Sequence, residues 1–315
     1  MSCFNPMAAA IPSVGNWAGR PKMLKAWDKA YRKSNITLPK SITSIPCKQC
    51  IGCRLDRSRQ WAIRCMHEAS LYEDNCFITL TYANEHLPKN KQLCERDMQL
   101  FFKRLRKRFK GIKIRYFYAG EYGDPKKTRR PHYHVILFNL DFADKKYWKT
   151  VKGFPYYKSK LLDEKIWKKG FCVLGGVTFE SAAYTARYVT KKVNGKAAEH
   201  HYKAYNPYTG ESYQLIPEYS RSSTSRGIGY DYYKKWFSDI YPSDEVVVRG
   251  HVCKPPEYYD RMLEQEHPEM YLQIKARRKL ENDKKDDLLF RHLQAKELVT
   301  RQRMSRLVRM LEAEA

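Results

Sequence analysis

Apolar residues recur at two different periods along this chain, and the change of period marks out its elements. The clearest period-two stretch is Pro131-His132-Tyr133-His134-Val135-Ile136-Leu137-Phe138. Its second half is β-branched, aliphatic and aromatic, which predicts a buried strand. Residues 77–82, 112–120 and 171–179 predict further strands, and 244–249 a short one. A period near 3.6 predicts a helix over 55–72, with Trp61, Cys65, Met66 and Ala69 on one side. Arg57, Arg59 and Arg64, with Arg54 just ahead, make its other side basic. A second helix over 95–109 buries Met98, Phe101, Phe102, Leu105 and Phe109. Residues 180–192 contain neither Gly nor Pro and read as helix, as do 230–236.

Outside these stretches the pattern weakens. Residues 1–45, rich in Pro, Gly, Ser and Lys, read as a loosely structured arm. Residues 141–169 read as an irregular insertion mixing Lys with Trp148, Tyr156, Tyr157 and Trp167, and 194–229 as loop. Residues 269–315 lack Gly and Pro and predict one or two long charged helices, with a short apolar seam at Met304, Leu307, Val308 and Leu311. The order of elements predicts an α+β fold: an antiparallel sheet of about five strands flanked by helices, with a helical C-terminal extension. The expected division is an arm with a cysteine cluster at 1–54, a core domain at 55–240, and a mostly helical extension at 241–315.

Side chains alternate faces along a strand, so His132 and His134 share one face with Tyr133 on the other. Two imidazoles at that spacing can hold one divalent metal. A hairpin folding the strand 112–120 back beside them would bring the Glu121 carboxylate near as a third ligand. The bland alternative is two histidines on the exposed face of a sheet. Fifty residues on, Tyr184 and Tyr188 stand four apart on the helix 180–192 and share a face, with Lys191 and Lys192 one turn further. A phenol with a pKa near 10 is a poor nucleophile at neutral pH. It becomes useful where a metal polarises a phosphodiester and cations favour the phenolate. The alternative for this pair is an aromatic contact within a core.

Composition narrows the partner. Sixty Lys and Arg against 34 Asp and Glu leave a formal charge of +26, which points to nucleic acid first and an anionic membrane surface second. No apolar run approaches the roughly 18 residues of a membrane span. Nothing at the N-terminus predicts a signal peptide. Between Lys103 and Arg115 lie eight basic residues, Lys103, Arg104 and Lys107 among them, without interspersed acids; this argues for phosphate contact over a merely solvated face. Arg129 and Arg130 sit just ahead of the histidines, where guanidinium groups can clamp a phosphate backbone. Arg187 on the tyrosine helix joins these candidates. The basic-aromatic insertion suits single-stranded DNA, with a satellite core as its alternative.

Nine cysteines with scattered spacing fit a reducing cytoplasm rather than a disulfide framework. Cys47, Cys50 and Cys53 fall at intervals of three and can converge on one soft metal, a structural zinc. Zinc takes four ligands; Cys3, Cys65 or His67 can supply the fourth, and Cys3 is favoured. An iron–sulfur cluster is the weaker alternative, and three unligated buried thiols the bland one. No Gly-x4-Gly-Lys-Ser/Thr motif occurs, so a helicase motor must come from another protein.

His-hydrophobic-His in a strand, followed by a helix bearing Tyr-x3-Tyr and a trailing Lys, resembles the HUH endonucleases that start rolling-circle DNA replication. Within them the chain is most similar to the replication initiators of microviruses, the gokushovirus-like group of single-stranded DNA phages. Cys47-Lys48-Gln49-Cys50-Ile51-Gly52-Cys53-Arg54, Phe77-Ile78-Thr79-Leu80-Thr81-Tyr82, Gly120-Glu121-Tyr122-Gly123, Tyr241-Pro242-Ser243-Asp244 and Pro255-Pro256-Glu257-Tyr258-Tyr259-Asp260 carry the resemblance together with the two motifs above. It covers most of 45–265.

The resemblance implies an HUH domain over 55–240, with the strand 77–82 beside the histidine strand at the sheet centre. It further implies Mg²⁺ or Mn²⁺ on His132, His134 and Glu121, and tyrosine attack on single-stranded origin DNA that leaves a 5′-phosphotyrosine link and a free 3′-OH. Imidazole ligands favour manganese, while abundant magnesium can serve in the cell. The family's Tyr-x-x-Lys pattern falls on Tyr188, implying that Tyr188 acts first and Tyr184 second, steadied by Lys191 and Lys192. The expected partners are origin DNA and a host helicase and polymerase in the bacterial cytoplasm. The oligomeric state is left open. A relaxase or transposase of the same superfamily, or a non-catalytic, metal-stapled DNA-binding or packaging protein, are the alternatives.

Overall fold

The computed structural model describes residues 3–10, 22–23, 42–123, 129–151, 153–191, 196–205, 209–283 and 290–306. They fall into two compact units, one drawn from Met1–Arg57 and Arg261–Arg309, the other centred on Ser58–Asp260. In the smaller unit, β1 (Met7–Ala10) pairs antiparallel with β2 (Lys22–Met23) and β3 (Ile42–Ile45). Parts of the stretch read as a loose arm are therefore strands. The helices Pro268–Asp283 and Phe290–Arg306 belong to this unit, as the Gly- and Pro-free sequence predicts.

The larger unit is built on an antiparallel sheet of seven strands among the described residues, confirming the α+β class but exceeding the expected five. Its members are β4 (Asn75–Thr81), β5 (Arg115–Tyr122), β6 (Pro131–Phe138), β7 (Lys146–Val151), β8 (Phe154–Lys158), β9 (Cys172–Gly175) and, after the separate ribbon of β10 (Lys203–Tyr205) and β11 (Ser212–Gln214), β12 (Tyr219–Ser222). They run in the order β12-β5-β6-β4-β9-β8-β7. The extra strands come from the basic-aromatic insertion, which folds into the β7–β8 hairpin, and from the stretch read as loop. Both β7 and β12 are edge strands with little buried surface, so they lack the apolar alternation that identifies a core strand.

Each face of the sheet carries its own core. The helix Glu95–Arg108 lays Met98, Phe101, Phe102 and Leu105 against Leu80, Tyr133, Val135 and Leu137. Its first turn holds Glu95 and Asp97 and its last Arg106, Lys107 and Arg108, so charge follows the helix dipole at both ends. The opposite face packs Phe77, Phe117, Ala119 and Ile136 against Ala62 and Cys65 of the helix Ile51–Ala69 and Ala182, Tyr184 and Ala186 of the helix Phe179–Lys191. Each large apolar side chain so buried contributes roughly 1.5–3 kcal/mol. The Ser58 hydroxyl donates to the Ala183 carbonyl at 3.1 Å and ties these two helices together. Gly170, at φ +154°, lets the chain enter β9: a Cβ there would lie 2.4 Å from the Thr81 oxygen and the Ala83 nitrogen.

Arg64 departs from the basic side assigned to its helix. Its guanidinium is buried between the Trp61 and Tyr258 rings, 4.1 and 4.0 Å from their centroids, and donates from Nε to the Ile228 carbonyl at 2.9 Å. Weak hydration and a planar face make Arg suited to such a sandwich.

Candidate active site

The register of three central strands builds the site. In β6, His132 stands opposite Glu121 of β5 and Thr81 of β4, and His134 opposite Ala119 and Thr79. Cross-strand partners share a face, so the carboxylate, both imidazoles and Thr79 project together toward the helix Phe179–Lys191. β5 extends to Tyr122, two residues beyond the expected end, which puts Glu121 inside the ladder rather than in the turn after it.

Both imidazoles aim Nε2 at one carboxylate oxygen: His132 Nε2 lies 2.5 Å and His134 Nε2 3.3 Å from Glu121 Oε1. The other ring nitrogens are held from behind. His132 Nδ1 lies 3.2 Å from the Arg130 carbonyl, which can only accept, so this nitrogen carries the proton. In the neutral ring Nε2 is then a bare lone pair directed at a carboxylate, an arrangement that calls for a cation between them. His134 Nδ1 is 3.1 Å from Thr79 Oγ1, and Phe77 stacks on the His134 ring. Burial alone would raise the Glu121 carboxyl, but hydrogen bonds from His132 and His134 outweigh it and hold the group well below the usual carboxylate range. The three ligand atoms lie within 4.8 Å of one another. Two nitrogens and a carboxylate oxygen, backed by ordered contacts, form a donor set that fits a divalent ion of the Mn²⁺ or Mg²⁺ class.

The tyrosine helix crosses this face. The buried Tyr184 ring meets His134 edge-on with centroids 5.1 Å apart, and the Arg187 guanidinium carbon lies 6.0 Å from the Tyr184 centroid. Tyr188 lies on the same helix one turn further, and Lys191 ends it. The side chains of Tyr188 and Lys191, and Lys192 altogether, lie outside the described residues.

The remaining candidates are dispersed. Lys103 and Lys107 are exposed on a helix packed against the opposite face of the sheet from the histidines. Arg104 donates to the Ile166 and Trp167 carbonyls, at 3.2 and 3.4 Å. Arg130 donates to Asn84 Oδ1 and to the Tyr82 carbonyl, each at 2.6 Å, and so pins the end of β4 beside β6. Arg129 lies over the Tyr122 ring and reaches the His201 carbonyl at 3.4 Å. On the β7–β8 hairpin, Trp148 is half exposed with the amines of Lys149 and Lys158 4.2 and 4.6 Å from its ring, a pairing of the kind that meets bases and phosphates. Away from the sheet, Cys3, Cys47, Cys50 and Cys53 form a second group able to hold a metal. Cys65 is buried in the sheet core, and His67 Nδ1 lies 2.9 Å from the Tyr259 hydroxyl; neither is in this group. Thr79 was not anticipated, although the alternation in Phe77-Ile78-Thr79-Leu80-Thr81 places it on the histidine face.

Residues 75–193 match the family model of the replication-associated protein ORF2 group. The chain is 33% identical over 298 residues to the replication-associated protein VP4 of Bdellovibrio phage phiMH2K, covering 90% of this chain and 83% of that protein. It is 39% identical over 250 residues to the replication-associated protein ORF2 of Spiroplasma virus 4, covering 75% and 73%. A replication-associated protein ORF4 of Chlamydia phage 1 is 29% identical over 229 residues, 70% of this chain and 53% of that protein. No solved structure matches. Among the described residues no helix is long and apolar enough to cross a membrane.

Proposed function

From the premise that this chain belongs to the family of microvirus-like phage replication-associated proteins, we propose that it starts rolling-circle replication by nicking and rejoining single-stranded DNA through tyrosine transesterification. The observation that carries this reading is the contact of Tyr184 with His134, whose Nε2 converges with that of His132 on Glu121.

His132, His134 and Glu121 would hold the divalent ion. When bound, it supplies charge stabilisation at a phosphoryl oxygen. The chain's own part is positional. The Arg130 carbonyl and Thr79 fix the two rings, and the helix Phe179–Lys191 presents its tyrosines to the same face. A tyrosine Oη loses its proton and attacks phosphorus; the P–O3′ bond breaks, and its electron pair leaves on the 3′ oxygen, which takes up a proton. The 5′-phosphate stays on the tyrosine and the 3′-OH primes synthesis. Because the ester energy is kept in the link, attack by a 3′-OH rejoins the strand without ATP. Two tyrosines serve a round trip, one holding the parental end while the other cuts the regenerated origin. Lys191 and Lys192 steady phenolate or phosphate, and the charge of +26 supplies affinity for DNA that depends little on sequence. The host cell provides helicase and polymerase.

The test incubates the full chain and Mn²⁺ with labelled single-stranded oligonucleotides tiling the genome that encodes it, followed by a denaturing gel. One oligonucleotide is expected to yield a shorter product with a free 3′-OH and a protein-linked partner. Binding without cleavage of any oligonucleotide would leave a DNA-binding or packaging protein instead.

A further inference from the structure

We propose that Cys3, Cys47, Cys50 and Cys53 bind one zinc ion, which ties the N-terminal segment to the turn before the helix Ile51–Ala69. All four sulfurs lie within 4.8 Å of one another. Cys3 Sγ is 3.6 Å from Cys47 Sγ and 3.8 Å from Cys50 Sγ. A tetrahedral zinc with Zn–S bonds of about 2.3 Å separates its sulfurs by about 3.8 Å. A disulfide would need about 2.05 Å, and every cysteine in the chain is free. In a four-iron cluster each thiolate binds a different iron, so the cluster body holds the sulfurs further apart. The observed spacing is the edge of a tetrahedron around a single ion.

The backbone is arranged for thiolates. Cys47 Sγ accepts from the Gln49 and Cys50 amides at 3.5 and 3.2 Å, a turn allowed by Lys48 at φ +59°. Cys3 Sγ accepts from the Cys47 amide at 3.3 Å, and Cys50 Sγ from the Phe4 amide at 3.3 Å. Amide donors aimed at sulfur favour the charged form, which neutral buried thiols would not need. Cys53 lies in the first turn of its helix, where unpaired amides and the helix dipole also favour a thiolate. Pairing of Met7 with Ile45 between β1 and β3 brings the ends that carry Cys3 and Cys47 together. Binding converts four thiols to four thiolates and releases their protons, so ordering of the N-terminal segment is coupled to the metal.

The site is independent of the histidine group, and the test keeps the two apart. Metal content is measured on the full chain after gel filtration in chelator-treated buffer. The His132→Ala/His134→Ala variant should retain one zinc per chain, and the Cys47→Ser/Cys50→Ser variant should lose that zinc. Replacing zinc by Co²⁺ in the His132→Ala/His134→Ala variant should give the intense visible bands and the sulfur-to-metal charge transfer of a tetrahedral thiolate site, a readout that does not require the cysteine variant to fold. Absence of zinc and of these cobalt bands, iron–sulfur absorption, or zinc undiminished in the cysteine variant would overturn the proposal.

Discussion

The ring of Tyr184 stands edge-on to His134, centroids 5.1 Å apart and planes at 79°. This contact joins two motifs fifty residues apart in sequence. The sheet register sets where the imidazole points, and helix packing on Ala182 and Ala186 sets where the phenol lies. Because both are fixed by buried backbone elements, the distance between them is a property of the core rather than of a loop.

Replacing His134 by Ala should separate cleavage from binding. Metal-dependent nicking should fall by roughly a hundredfold or more, since one of three ligand atoms is lost. DNA affinity, carried by phosphate contacts, should change little. Nicking rates and filter binding on the same oligonucleotide check this; equal loss in both would argue against a metal role.

Thr79→Val keeps the side-chain shape but removes the hydroxyl 3.1 Å from His134 Nδ1. Outer partners of metal-bound His typically hold about 10–100-fold in metal affinity. The Mn²⁺ concentration for half-maximal nicking should rise by that factor, with the rate at saturating Mn²⁺ largely restored. A lower rate at every Mn²⁺ concentration would place Thr79 elsewhere in the mechanism.

Stability should fall with acid through His67. Burial lowers its imidazole from 6.5 to about 4, where it stacks on Tyr232 and meets the Tyr259 hydroxyl. Between those values the unfolded chain takes up a proton that the folded chain refuses. The linked stability is fully present above pH 6.5 and is lost progressively as pH falls toward 4, by about 3 kcal/mol. Denaturant unfolding of wild type and His67→Gln across this window should show the steeper loss in wild type; parallel curves would contradict it.

The buried pair of Arg115 and Glu68 should be costly to break. Arg115 donates to Glu68 and to the Arg226 and Gly227 carbonyls, while Glu68 also accepts from the Gly229 amide at 2.7 Å. Arg115→Met strands a carboxylate in the core and should cost about 3–5 kcal/mol. Adding Glu68→Gln should recover part of that loss, because the amide oxygen can still accept from Gly229. Chemical denaturation of the three proteins measures both numbers.

The sequence revealed most where burial and periodicity coincide. β4 and β6 pack apolar side chains on both sheet faces and are rich in β-branched and aromatic residues, so their place at the sheet centre was legible. β12 was not, because Tyr219–Ser222 is held by its ladder to Phe117–Gly120 rather than by an apolar face. Spacing alone could favour Cys3 without fixing it, since its approach to Cys47 depends on β1 pairing with β3 across more than thirty residues. Charge counting could not separate the exposed Lys103 and Lys107 from Arg104 and Arg64, whose guanidinium groups are engaged by backbone carbonyls and ring faces. That distinction depends on tertiary neighbours.

The most direct measurement of the central claim is the yield of covalent protein–DNA adduct, read on a denaturing gel and by mass spectrometry of the linked peptide, for wild type, Tyr184→Phe, Tyr188→Phe and the double variant. The account predicts adduct on a peptide within Phe179–Lys191 in wild type and none in the double variant, with the folded protein still binding DNA. Adduct at wild-type yield in the double variant would place the nucleophile elsewhere and contradict it.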